Sequence, residues 1–183
     1  MPNVLVPLAQ GCEELEAVTI IDLLRRAEIN VTTASLDKEP VRASRGTVLL
    51  ADTTLDDALQ QDYDMVVLPG GLPGADHLDN DPRIQNLLKK MANSEKFTAA
   101  ICAAPKAFAS AGILSGKRAT AFPGVLEKLD LPNTSIESDA VVTDGKIITS
   151  RGPGTAMDFA LTLIESLSGK EKRDKVEAAL QRP

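Results

Sequence analysis

The sequence predicts an α/β protein in three layers, a mostly parallel sheet covered by helices on both faces. Short apolar runs at residues 4–9, 65–68 and 97–101 alternate with segments of helical period, the order expected of βαβ units. Met65-Val66-Val67-Leu68 is apolar at every position, as in a parallel strand buried on both sides. The runs end at Gly11, at Pro69-Gly70-Gly71 and at Cys102, so the ligand site is expected at these carboxyl ends. With 183 residues, 43% of them hydrophobic, the chain has enough apolar material for one domain, read over 1–183.

Taken in order, strand 4–9 leads through the Gly11 turn into a helix from Glu13 to Arg26, with Val18, Ile21 and Leu24 as its apolar positions. A β-branched strand follows at 30–34, then β-rich stretches around Val41 and at 47–50, and a capped short helix over 52–59. After the strand at 65–68 comes a loop with Gly74, then a helix over 82–92 with Pro82 in its first turn, where a missing N–H costs nothing. Strand 97–101 delivers Cys102, and the helix over 105–111 stops at Gly112. A short strand near Ala119, a helix over 125–129 and a hairpin over 140–149 are expected next, with Asp144-Gly145 as a type I′ turn. An amphipathic helix then runs to Leu167, Gly169 caps it, and a charged helix ends near Leu180.

Composition narrows the function. A net charge of −6 argues against a nucleic-acid binder, which needs a basic face to neutralise phosphates. No apolar run approaches the roughly 20 residues that span a bilayer, and Met1-Pro2-Asn3 opens no secretory leader, so a cytoplasmic protein is expected. Two cysteines, Cys12 and Cys102, are too few for a disulfide framework, and the single histidine, His77, leaves no His-rich metal site. Pro69-Gly70-Gly71 is no phosphate-binding Walker loop, because no Gly-Lys-Ser/Thr follows. No metal or cofactor is expected.

The chemistry concentrates at Ala100-Ile101-Cys102-Ala103-Ala104-Pro105. A thiol at a strand end and helix start lies near backbone N–H groups, and the positive helix end is expected to lower its pKa toward thiolate. The same amides suit an oxyanion. Lone cysteines also serve as inert core fillers, and Cys102 alone leaves both readings open. Its small neighbours favour an accessible thiol.

That segment, together with Glu13-Glu14-Leu15-Glu16, Ser44-Arg45, Val67-Leu68-Pro69-Gly70-Gly71 and Thr149-Ser150-Arg151-Gly152-Pro153-Gly154-Thr155, resembles the ThiJ/PfpI superfamily over almost the whole chain. The resemblance is to the branch of the Parkinson-disease deglycase protein, and within it to bacterial YajL-like members. It implies a flavodoxin-like fold, Cys102 as nucleophile and Glu16 as the carboxylic acid beside its sulfur. It also implies Gly70, Gly71 and Ala103 as oxyanion-hole amides, with Arg45 and Arg151 near the site mouth and a dimer contact. A carboxyl against a thiolate should have a raised pKa, so Glu16 would stay protonated and shuttle protons. Glu13 and Glu14 are read as solvated helix-face carboxylates.

Ala103 stands where the protease-like branch has histidine, which removes the Cys-His pair needed for peptide hydrolysis. Phe122 stands where the human pattern has histidine, as in the YajL-like pattern. His77 matches no catalytic position. Cys12 is read as a bystander, with a resolving thiol as the alternative. The function implied is a cysteine-dependent deglycase or glyoxalase acting on methylglyoxal, glyoxal or their early adducts on proteins, as a homodimer. The alternative is a non-enzymatic redox-sensing chaperone in which Cys102 oxidises to a sulfinic acid.

Overall fold

The computed structural model describes residues 1–183. Its strands are β1 (Asn3–Leu8), β2 (Asn30–Ser35), β3 (Val41–Arg42), β4 (Val48–Leu49), β5 (Thr53–Thr54), β6 (Met65–Leu68), β7 (Phe97–Ile101), β8 (Arg118–Ala119), β9 (Ser135–Ile136), β10 (Val141–Asp144) and β11 (Ile147–Ser150). Its helices are α1 (Glu14–Arg26), α2 (Leu55–Ala58), α3 (Gly74–Asn80), α4 (Pro82–Asn93), α5 (Pro105–Ser110), α6 (Ala156–Ser168) and α7 (Lys170–Ala179). A seven-stranded sheet runs in the order β10-β11-β7-β6-β1-β2-β5, parallel except for β10 against β11.

Each central strand is divided between two cores by the two-residue period of β structure. Val4, Val6, Met65, Val67, Ala99 and Ile101 face a cluster that also holds Ala17, Ile20 and Leu24 of α1, Phe159 and Leu163 of α6 and Val176 of α7. Leu5, Val66, Leu68 and Ala100 face the opposite cluster, with Leu55 of α2, Leu78 of α3, Leu88 of α4 and Phe108 of α5. The sheet is thus apolar on both faces, which explains the uninterrupted apolar runs. From β1 the chain steps to β2 on one side and later to β6 on the other, so the order reverses between β1 and β6. The loops after β1, β6 and β7 converge there, where parallel sheets open a crevice.

Several expectations need correction. The buried stripe of α1 is Ala17, Ile20, Leu23 and Leu24, while Val18 is 46% exposed. Ala17 carries little hydrophobic signal, and the bulkier Val18 drew the stripe round the helix. Asp52 caps no helix; its carboxylate accepts from the Thr33 N–H and hydroxyl at 2.9 Å and from Arg25 at 2.8 Å, while Thr54 caps the shorter α2. The loop after Gly71 contains the helix α3, hidden in the sequence because only Ala75 and Leu78 mark its inner face. Residues 125–129 are successive turns, with Val125 N–H on Phe122 C=O and Leu129 N–H on Leu126 C=O, and Gly124 at φ +86°. In the hairpin Asp144 pairs with Ile147, so the two-residue loop is Gly145-Lys146. Only Gly145 there has positive φ, the pattern of a II′ turn. A further short strand, β9, pairs parallel with β8.

Candidate active site

Cys102 follows β7 with φ +63°, a left-handed conformation for a residue with a side chain. Such backbone strain costs about 1–3 kcal/mol and persists only where surrounding contacts impose it. Here its N–H donates to Ser150 C=O at 3.0 Å and its C=O accepts from Phe122 N–H at 2.8 Å. The elbow changes which face the side chain meets. Strand alternation would send the residue after Ile101 to the α3–α5 side, yet Cys102 packs against the α1–α6 cluster. It is thereby turned toward α1, the helix that carries Glu16.

Glu16 is fully buried in the first turn of α1. Its Oε2 accepts the Gly70 N–H at 2.8 Å. Oε1 is buried without a nitrogen or oxygen partner, and the thiol of Cys102 faces this carboxyl. Gly70 is obligatory by packing: a Cβ there would lie 2.5 Å from Cys102 Cβ, 2.7 Å from Glu16 Oε2 and 2.8 Å from Ile101 O. Gly71, at φ +88°, lies so close to the loop after β1 that a Cβ would fall 2.3 Å from Glu13 N. The three loops therefore touch backbone to backbone.

Burial pushes the Glu16 carboxyl up to about 7, against the opposing pull of the Gly70 N–H. The direction is the expected one but the cause is not: the Cys102 thiol pulls the Glu16 pKa down, and above pH about 7 Glu16 is ionised beside a protonated thiol, the reverse of the protonated carboxyl expected. For Cys102 the expectation fails: burial first, then the charge of Glu16, push the thiol up to about 12. The helix that was to lower it, α5, has only six residues and begins at Pro105, too slight to offset desolvation. The N–H groups of Gly71 and Ala103 do favour the thiolate, but less strongly. Between pH about 7 and about 12 the pair keeps one proton, on sulfur and facing the carboxylate. Glu16 is thus arranged to take a proton from the thiol and return it to a bound substrate.

The expected oxyanion amides divide. The Gly70 N–H is committed to Glu16, which leaves those of Gly71 and Ala103 at the sulfur. Neither arginine guanidinium hydrogen-bonds to Cys102 or Glu16: Arg45 is exposed, and Arg151 donates to Ser138 C=O at 3.2 Å. Cys12 is fully buried, with its thiol pushed up to about 11 by desolvation, which leaves the resolving role without an accessible sulfur. His77 lies on α3 and lines a separate cleft of about 370 Å³ with Gln10, Asp37 and Asn80.

Sequence reasoning missed the part played by Glu13 and Glu14. They are not free in solvent. Glu14 accepts the N–H groups of Arg45 at 2.9 Å and Thr47 at 3.0 Å, and Ser44 Oγ donates to Glu13 at 3.0 Å. Although partial desolvation opposes it, these N–H groups hold the Glu14 carboxyl down at about 2. Both carboxylates latch the β3–β4 hairpin over the start of α1. The signal, paired acids at the start of α1 and a Ser-Arg-Gly turn, is divided between segments some 30 residues apart.

No helix is long and apolar enough to cross a membrane. Residues 2–166 match the DJ-1/PfpI family. The chain is 45% identical over 179 residues to the Parkinson disease protein 7 homolog of Danio rerio, covering 96% of this chain and 95% of that one. It is 49% identical over 173 residues to protein DJ-1 homolog B of Arabidopsis thaliana, covering 93% of this chain but 39% of that protein, so it spans less than half the length of that relative. With the glutathione-independent glyoxalase DJR-1.2 of Caenorhabditis elegans it shares 35% identity over 167 residues, 91% of this chain and 89% of that one. Among solved structures, Drosophila melanogaster DJ-1beta superposes with a TM-score of 0.95 at 42% identity, covering 100% of this chain and 98% of that one.

Proposed function

The chain belongs to the DJ-1/PfpI family, and on that premise we propose that it is a cofactor-independent enzyme converting methylglyoxal or glyoxal, free or as early adducts on proteins, into lactate or glycolate. The observation that carries this reading is the buried Glu16 carboxyl facing a partly exposed thiol on a strained elbow, with two amides aimed at the sulfur. The relative named a glutathione-independent glyoxalase supports the reaction class.

Glu16 takes the thiol proton, and the thiolate adds to the aldehyde carbon. The oxyanion forms beside the N–H groups of Gly71 and Ala103 and receives the proton from Glu16, giving a hemithioacetal. Glu16 then removes the C1 proton and the electron pair moves to the neighbouring carbonyl oxygen. Glu16 returns the proton to C2 as the C1 hydroxyl proton passes to the C2 oxygen, leaving a 2-hydroxyacyl thioester. Water adds to its carbonyl, the C–S bond breaks, and lactate and thiol are released. From a protein adduct the thiolate first displaces the amine or thiol.

Lactate formation from methylglyoxal without glutathione tests this. Wild type is expected to form lactate, Cys102→Ser none, and Glu16→Gln roughly 10²-fold less. Equal rates in wild type and Cys102→Ser would remove Cys102 as nucleophile.

A second reading, a non-enzymatic redox-sensing chaperone, draws on the same partly exposed sulfur, since the two amides would hold the oxygens of a Cys102 sulfinate. After mild peroxide, mass spectrometry should find two added oxygens on Cys102 and none on buried Cys12. We further propose that the protein is a cytoplasmic homodimer formed partly by α1.

A further inference from the structure

The two hydrogen bonds that hold the Cys102 backbone lead to one loop. Its N–H reaches Ser150 C=O directly. Its C=O is held by Phe122, whose ring lies against Gly152, where a Cβ would stand 3.3 Å from Phe122 Cδ2. Residues 150–155 therefore brace the elbow from both sides.

Two hydroxyls lock that loop. Ser150 Oγ lies 2.7 Å from Ala140 O and 2.7 Å from Thr155 Oγ1, and Thr155 Oγ1 lies 3.0 Å from Gly152 O and 3.1 Å from Gly152 N. Two hydroxyl protons cannot serve three oxygen–oxygen contacts. Gly152 C=O already has the Thr155 N–H at 3.0 Å, which frees the Thr155 hydroxyl for Ser150. The protons then run one way: Gly152 N–H to Thr155 Oγ1, Thr155 Oγ1–H to Ser150 Oγ, and Ser150 Oγ–H to Ala140 C=O. Donation in a single direction strengthens each link. Ser150 is fully buried, so no solvent competes for the chain.

We propose that the hydroxyls of Thr155 and Ser150 are positioning groups for the Cys102 nucleophile, fixing the loop whose Ser150 carbonyl and Gly152 face hold the elbow in its left-handed conformation. This rests on the reading of Cys102 as the reacting thiol. Neither hydroxyl touches substrate; each acts through the backbone. A small displacement of a nucleophile is enough to slow its reaction by up to roughly 10²-fold.

The test is the second-order rate of Cys102 alkylation by iodoacetamide at pH values from roughly 5 to 9, on either side of the Glu16 ionisation at about 7, together with kcat and KM for lactate formation. It is read at a temperature where circular dichroism shows each variant folded. Thr155→Val removes the hydroxyl at nearly constant shape, and Thr155→Ser keeps it. The valine variant should lose about tenfold or more in alkylation rate and kcat with KM held, and the serine variant should stay within about twofold of wild type by the same reasoning. Ser150→Ala breaks the chain at its other hydroxyl, yet leaves Ala140 C=O the Arg151 N–H and Thr155 the Gly152 carbonyl. It is expected to fold and to show the same loss, and it decides the matter should the valine variant not fold. Wild-type alkylation and pH profile in folded Thr155→Val or Ser150→Ala would overturn the proposal, as would an equal loss in Thr155→Ser. Alkylation reports the thiol whatever the substrate. A protein that forms no lactate but shows this pattern would retract the reaction and leave the positioning role standing.

Discussion

Glu16 is a carboxyl that folding keeps from water, and this has a thermodynamic consequence separate from catalysis. Its folded pKa lies above its ordinary value of 4.5, so the native state binds the extra proton and is stabilised by it. That stabilisation is fully present below pH about 4.5 and is lost as pH rises through about 7, where the buried group ionises. The difference corresponds to about 3 kcal/mol at high pH. Glu16→Gln, neutral and of similar shape, should therefore melt at a higher temperature than wild type at pH 8, and the gap should close by pH 4. Thermal melts across this range check it, and a variant less stable at pH 8 would show that the ionised carboxyl is held favourably. From sequence, Cys102 was visible as a residue at a strand end, but Glu16 among Glu13, Glu14 and Glu16 was distinguished only by resemblance. Which carboxylate is buried depends on the rotation of α1, and the sequence stripe drawn through Val18 had that rotation wrong. Burial also outweighed the short helix at Cys102, which no local pattern reveals.

At the scale of elements, the site is a meeting of loops, and the contacts that set it are backbone contacts. Gly11, Gly70, Gly71 and Gly74 permit the approach; a Cβ at Gly74 would lie 2.5 Å from Cys12 N, and one at Gly11 would lie 2.4 Å from Pro73 Cδ. The β3–β4 hairpin is fastened to α1 by Glu14 and also by Ser44 N–H on Cys12 C=O at 2.7 Å. Glu14→Ala should release the hairpin tip and leave the sheet intact. Amide exchange at Arg45 and Thr47 is expected to quicken at least several-fold, while amides of β1 and β6 stay protected. Unchanged exchange at the two tip amides would assign the latch to other contacts. Strands and long helices were legible because their periodicity is strong. The short α3 and the turns at 125–129 were not, because tertiary packing of Leu78 and Leu126, and not local propensity, decides their shape.

For the whole molecule, the three-layer order was legible from three apolar runs and their spacing, since strands buried on both faces leave little freedom in how helices cover them. What the molecule does with its outer surface was less legible. Leu15 and Val18, 51% and 46% exposed, lie one turn apart on the outer side of α1. The homodimer is proposed to cover them. Light scattering should give twice the chain mass at micromolar concentration, and Val18→Glu should shift the protein toward monomer. A wild-type monomer would contradict it.

In the proposed reaction Glu16 is the base for the Cys102 thiol. The most direct measurement is the pH dependence of Cys102 alkylation in wild type and Glu16→Gln. In wild type the rate constant should rise as pH passes through about 7, where Glu16 ionises, and this step should be absent in Glu16→Gln. Superimposable profiles, or a wild-type rate that falls above pH 7, would contradict it.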